Sequence, residues 1–177
     1  MPVTGCAYHY GLAERSLPGG YTQVAIPVFK NKTAEVGIEP YFTNALIRRF
    51  NRSQVARVGD KESAPVLLEG VITKIDTASV STILSDANKN LLPEDTVLTT
   101  QYRLTVSAEI TIRRKSDDRV IWQGSFSNEK VYAAPLLGTP VVNSANATYN
   151  QSARMEYISR LAEEMMSEAH DRITENF

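Results

Sequence analysis

The chain has 177 residues, 42% hydrophobic and 22% charged, which suits one globular domain able to bury roughly 70% of its unfolded surface. That composition excludes disorder throughout. Nineteen basic and twenty acidic residues leave a formal net charge of −1, which excludes a general nucleic-acid binder, whose affinity needs surplus Lys and Arg.

Residues 1–20 read as a tail ahead of a single α+β domain over residues 21–177. The tail holds the one cysteine, Cys6, in the run Val3-Thr4-Gly5-Cys6. One thiol cannot close an internal disulfide, and a residue this close to a terminus seldom packs in a core. An aliphatic residue, two small ones and then Cys resembles the cleavage point of bacterial lipoprotein signals, in which the cysteine sulfur carries a diacylglycerol. A signal also needs a basic start and an apolar stretch of roughly 7–15 residues. Neither precedes Cys6, so the expectation is a chain without its signal peptide. No stretch reaches the ~18–20 continuous apolar residues of a membrane span, which leaves Cys6 or a partner as the route to a membrane.

Tyr21 to Phe29 predicts a strand with Val24, Ile26 and Val28 on one face. Pro27, lacking an N–H, puts it at an edge or near a strand end. After the polar connection Lys30–Thr33, Glu39-Pro40 opens an amphipathic helix from about Ile38 to Asn51. Tyr41, Phe42, Ala45, Leu46 and Phe50 share its apolar face, and Arg48, Arg49 and Arg52 load its last turn. Pro65 to Thr77 reads as a strand, too continuously apolar to alternate cleanly. Ser79 to Thr96 reads as a long loop.

Tyr102, Leu104, Val106, Ala108, Ile110 and Ile112 then alternate with Arg103, Thr105, Ser107, Glu109, Thr111 and Arg113. This predicts a long antiparallel strand covered on one side. Lys115–Asp118 is a turn signal, and Val120, Trp122 and Phe126 bring the chain back as a hairpin. Ala133 to Ala147 is a small-residue connection. A last helix from roughly Thr148 to Ile173 carries the seam Met155, Ile158, Ala162, Met165 and Ala169. The order βαβββα predicts a two-layer sandwich, with two helices on one face of a roughly four-stranded mixed sheet.

The chemistry-bearing residues form no familiar site. His9 and His170 read as exposed and belong to no zinc-ligand spacing. No G-x-S-x-G elbow or G-x-x-x-x-G-K-[ST] loop occurs, and Cys6 has no base partner. The sequence therefore predicts no catalytic residue, no metal and no cofactor. Asn-x-Ser/Thr triplets at Asn31, Asn51, Asn146 and Asn150 are short enough to arise by chance.

Several segments together resemble a known family. Gly5-Cys6-Ala7-Tyr8-His9-Tyr10-Gly11 is similar to the G-C-G-[YW]-H opening of the lipopolysaccharide-assembly lipoproteins, the LptE family. Val24-Ala25-Ile26-Pro27-Val28-Phe29-Lys30-Asn31-Lys32-Thr33 resembles its I-P-x-F-x-N-x-T segment, and Leu68-Glu69-Gly70-Val71-Ile72 its L-x-G-x-I strand. The hairpin and the final helix follow in the family's order. The resemblance implies a non-enzymatic lipoprotein on the periplasmic side of the outer membrane, held in its inner leaflet through acylated Cys6. It implies two partners, a large outer-membrane β-barrel translocon that the domain plugs and helps assemble, and the lipopolysaccharide it helps deliver. It also implies basic residues for lipopolysaccharide head groups, for which this sequence offers Lys89 and Lys74; residues 133–147 contain none. The Ile26–Thr33 run resembles, in addition, lipoproteins that activate cell-wall synthases or form curli secretion pores, which leaves a second binding class open.

Overall fold

The computed structural model describes residues 15–84, 97–133 and 147–175. Its elements are β1 (Gln23–Ala25), β2 (Lys30–Asn31), α1 (Glu39–Ser53), β3 (Arg57–Val58), β4 (Val66–Leu84), β5 (Val97–Arg114), β6 (Val120–Ala133) and α2 (Ala147–Thr174). The class is α+β, with one mixed sheet and two helices on one of its faces.

The sheet runs β3-β1-β4-β5-β6, with β2 paired to β4 beside β1, and so has six strands where about four were expected. The two extra strands come from small departures. The expected first strand is interrupted at residues 26–29 and divides into β1 and β2, both parallel to β4. Pro27 lies in that interruption, where the backbone needs no ladder donor. Val28 leaves the predicted inner face and is 67% exposed, and Phe29 turns into the core instead. β3, two residues long and parallel to β1, is too short to leave a periodic signal.

The hairpin stands as the alternation predicts. β5 pairs antiparallel with β4 and β6, with Ala108 opposite Ile72 on one side and Phe126 on the other. Asp117 closes its turn by accepting two hydrogen bonds from Arg114, at 2.9 and 2.8 Å. Asp118 takes a positive φ of 54° there. Residues 79–84, expected in a loop, continue β4, and β5 begins at Val97. Ser79 and Val80 are both exposed, so at these two positions no buried face marks the strand.

A β-bulge in β4 explains why its sequence does not alternate. The register passes from Ile72↔Ala108 to Lys74↔Ser107, which leaves Thr73 extra. Before the bulge Val66, Leu68, Gly70 and Ile72 face the helices; after it Ile75 and Thr77 do, and Lys74 and Asp76 turn outward. The Thr73 hydroxyl donates to the Ser107 carbonyl at 3.2 Å, so the inserted residue is itself tied to the ladder.

The core lies between this inner face and the helices. Phe42, Leu46 and Phe50 of α1 and Ile158, Leu161, Met165 and Met166 of α2 meet Val66, Leu68, Ile72, Leu104, Val106, Ile110 and Ile112 in one buried cluster. Leu17, ahead of the first strand, joins it. Pro40 occupies the first turn of α1, and Gln54 ends that helix in the left-handed region, its N–H donating to Phe50 O at 3.0 Å.

Two of the family-like segments meet inside this core. The Phe29 ring lies against Gly70, where any added Cβ would collide with it, and it stacks 6.2 Å from Phe42. The Phe29 N–H donates to Thr43 Oγ1 at 3.0 Å, and that hydroxyl donates to Glu39 O at 2.8 Å. Next along, Asn31 Oδ1 accepts from both the N–H and the hydroxyl of Thr33 at 2.8 Å. The Asn and Thr of the N-x-T run thus build a local turn that sets β2 against β4.

Candidate functional site: the open face of the sheet

Among the described residues the helices cover only one side of the sheet, and the other side of three long strands is left open. From β5 it presents Arg103, Thr105, Ser107, Glu109, Thr111 and Arg113, and from β6 Gln123, Ser125, Ser127 and Glu129. β4 adds Glu69 before the bulge and Lys74 and Asp76 after it. Charged side chains alternate with Ser and Thr, Leu67, Val71 and Val131 share the face, and Ser107 and Ser127 share a hydrogen bond of 3.0 Å across strands.

Most charges on this face already have an opposite partner. Glu69 sits between Lys30 at 3.6 Å and Arg113 at 3.4 Å, Arg103 lies 3.7 Å from Glu129, and Lys74 lies 3.8 Å from Asp76. Exposed pairs of this kind add about 0–1 kcal/mol to stability. Their consequence is for contact: a surface with local charge balance meets another polar surface with little unpaired charge to desolvate. Glu109 has no ion-pair partner among the described residues.

Of the residues singled out from the sequence, Lys74 is on this open face and exposed, brought there by the bulge. Simple alternation from Ile72 would have turned it toward the helices. Cys6 and Lys89 lie outside the described residues.

Among the described residues one Ser–His–Asp chain occurs, far from this face. Ser53 Oγ is 2.7 Å from His170 Nε2, and His170 Nδ1 is 3.2 Å from Asp171 Oδ1. His170, expected to be exposed, is completely buried, packed edge-on against Phe50 at 4.8 Å. His170 lies four residues after the buried Met166, so the buried face of α2 is wider than the seam ending at Ala169, and a polar ring gives no sign of that. Burial pushes the His170 pKa down, and the Asp171 hydrogen bond opposes this without reversing it. Burial raises Asp171, but hydrogen bonds from His170 and Arg49 outweigh it and bring its pKa below the ordinary value.

A neutral imidazole in this setting donates from Nδ1 to Asp171 and accepts at Nε2 from Ser53. The hydroxyl is also 3.2 Å from Phe50 O, in the last turn of its own helix. Arg15 and Arg49 both hold Asp171, each at 3.2 Å. A base with no exposed surface cannot be reached by a substrate. The geometry performs a structural task, joining the C-terminal ends of α1 and α2.

Among the described residues no group of three His, Cys, Asp or Glu is placed to hold a metal, and no helix is long and apolar enough to cross a membrane.

A family model described as lipopolysaccharide-assembly (LptE) matches residues 21–175. No curated protein matches the chain in sequence. Among solved structures it is similar to a minor lipoprotein from Acinetobacter baumannii, 9% identical over 87% of this chain and 91% of that one, with a TM-score of 0.49. It is similar to the rare lipoprotein B from Shewanella oneidensis, 11% identical over 85% and 95% of the two chains, TM-score 0.46. A PelC dodecamer from Paraburkholderia phytofirmans gives 10% identity over 88% and 90%, TM-score 0.48.

Proposed function

The chain belongs to the lipopolysaccharide-assembly family, a family of outer-membrane lipoproteins, and from that premise we propose that it acts without catalysis as the plug of a lipopolysaccharide-transport β-barrel. Acyl chains on Cys6 hold it to the inner leaflet of the outer membrane on the periplasmic side. Its domain fills the barrel lumen, helps the barrel assemble and assists delivery of lipopolysaccharide to the cell surface.

The observation that carries this reading is the open sheet face. Barrel lumens are polar on the inside and, when wide, need filling. A polar face of charged, Ser and Thr side chains with its charges largely paired suits such a wall, and the helices keep the apolar core on the other side. Multiple acyl chains on Cys6 fit the anchoring requirement, since each buried CH₂ contributes about 0.8 kcal/mol and one chain is marginal. Lys74, on the open face, and Lys89 are the residues proposed to meet phosphorylated head groups, as point charges.

Recovery from detergent extracts tests the reading. A large outer-membrane barrel protein is expected to co-purify with the tagged, lipidated protein; a cell-wall synthase in its place would move the protein to the other class of envelope lipoprotein. In a precursor carrying its signal, Cys6→Ala is expected to abolish labelling by radioactive palmitate, and labelling that persists would refute the anchor.

A further inference from the structure

The sheet ends in three different ways, and one of them is left open. At one side it ends on β3, two residues long and containing Arg57. Along β4 beyond its pairing with β2, the outer edge is interrupted by the bulge at Thr73 and carries the charged Lys74 and Asp76. Short edges, bulges and charges are the devices by which proteins prevent unwanted strand pairing. β6 has almost none of them. It is 14 residues long and pairs only with β5 among the described residues. From Val120 to Asn128 it contains no charged residue and no proline, and its ladder is regular from Trp122 onward.

We propose that the outer edge of β6 is a strand-addition site, and that it is occupied by an extended segment of the barrel partner; this rests on the reading of the protein as a barrel plug. The backbone N–H and C=O groups of this edge form a ready template, and the alternate side chains set what suits it. Gln123, Ser125 and Ser127 line the open side and Trp122 and Phe126 the helix side, so the incoming strand alternates polar and apolar residues. Alternation of this kind is written into barrel chains, and a segment of such a chain outside the closed ring has its backbone free to pair.

The helix layer decides against a second copy of this chain. α2 lies along β6: Glu164 is paired with Lys130, the Tyr157 ring stacks on Tyr132 at 4.7 Å, and the Arg172 guanidinium sits 4.8 Å from the Phe126 ring. Two copies joined antiparallel through β6 would bring their α2 helices to about one strand spacing, roughly 5 Å, apart. Helices need about 8–10 Å between axes. The added strand must therefore come from a layer with nothing stacked on that side.

Hydrogen exchange read by mass spectrometry, on the lipidated protein alone and on its detergent-extracted complex with the barrel, tests this. Peptides from residues 120–133 are expected to exchange on the order of tenfold more slowly in the complex, while those of β3 stay unchanged. A complex that forms without slowing β6 overturns the strand addition and leaves the plug intact. Failure to form any complex overturns the plug and the strand addition with it. Protection of the β6 edge already present in the isolated monomer would show the chain's own residues on it. Protection that grows with concentration as the mass doubles would show a second copy; either result overturns the proposal. The paired substitution Gln123→Lys and Ser125→Lys, at two exposed positions, is expected to leave the melting temperature in place and cut recovery of the complex about tenfold; an equal loss from Thr105→Lys with Thr111→Lys, on the same face but one strand in from the edge, overturns the strand addition. Undiminished recovery overturns the proposal.

Discussion

The two faces of β5 are built from neighbouring residues and behave as different materials. Leu104, Val106, Ala108, Ile110 and Ile112 are essentially without exposed surface, and each is flanked by a residue of the open face. What separates them is a half-turn of the strand. On one side a side chain meets helices and its size and charge are fixed; on the other it is at least partly exposed and both are far less constrained.

The contrast can be broken most severely from the inside. Ala108→Asp places an unpaired charge against Ile72, Phe126 and the helices; a loss of at least 3 kcal/mol, enough to prevent folding, is expected because a buried carboxylate has no compensating partner there. The adjacent Ser107→Asp, on the open face, is expected to change stability by no more than about 0.5 kcal/mol. A soluble Ala108→Asp protein with the parent melting curve would reverse the assignment of faces.

Gly70→Ala tests the same inner face at smaller scale. Its new methyl must displace the Phe29 ring from a packed position, and a loss of about 1–3 kcal/mol in urea denaturation is expected. Pairing it with Phe29→Leu, which vacates part of that space, is expected to lose less than the two single effects added.

Smaller still is an acid-dependent loss at the helix junction. His170 and Asp171 both have folded pKa values below their ordinary ones of 6.5 and 3.8. The unfolded chain therefore binds protons first as pH falls, so the stability they contribute is complete above those ordinary values. The His170 share begins to be lost below about pH 6.5 and the Asp171 share below about 3.8, each until the folded group titrates. Melting temperatures measured from pH 7.5 to 5 are expected to decline in the parent and to decline less in His170→Gln. Equal slopes would remove His170 as the titrating group.

Much of this was legible in the sequence because it is local. The alternation in Tyr102–Arg113 fixed a one-sided strand, Lys115–Asp118 its turn, and the spacing of Ile158, Ala162, Met165 and Ala169 the buried seam of α2. Illegible elements depend on distant partners or are too short for a period. β3 exists because Gln23 and Val24 lie beside Arg57 and Val58. The open face could be read as polar, but the membership of Lys74 in it could not.

By itself, then, the sequence determined the two helices and the β5–β6 hairpin, and for β5 and α2 which residues face inward, since repeating patterns of burial are written into successive residues. Only the tertiary structure decided the phase of β4 beyond Thr73, the need for glycine at position 70, and the burial of His170. Each of these follows from a contact between residues far apart in the chain: Thr73 with Ser107, Gly70 with Phe29, His170 with Phe50 and Ser53. Packing couples such positions through space, and no local period carries that information.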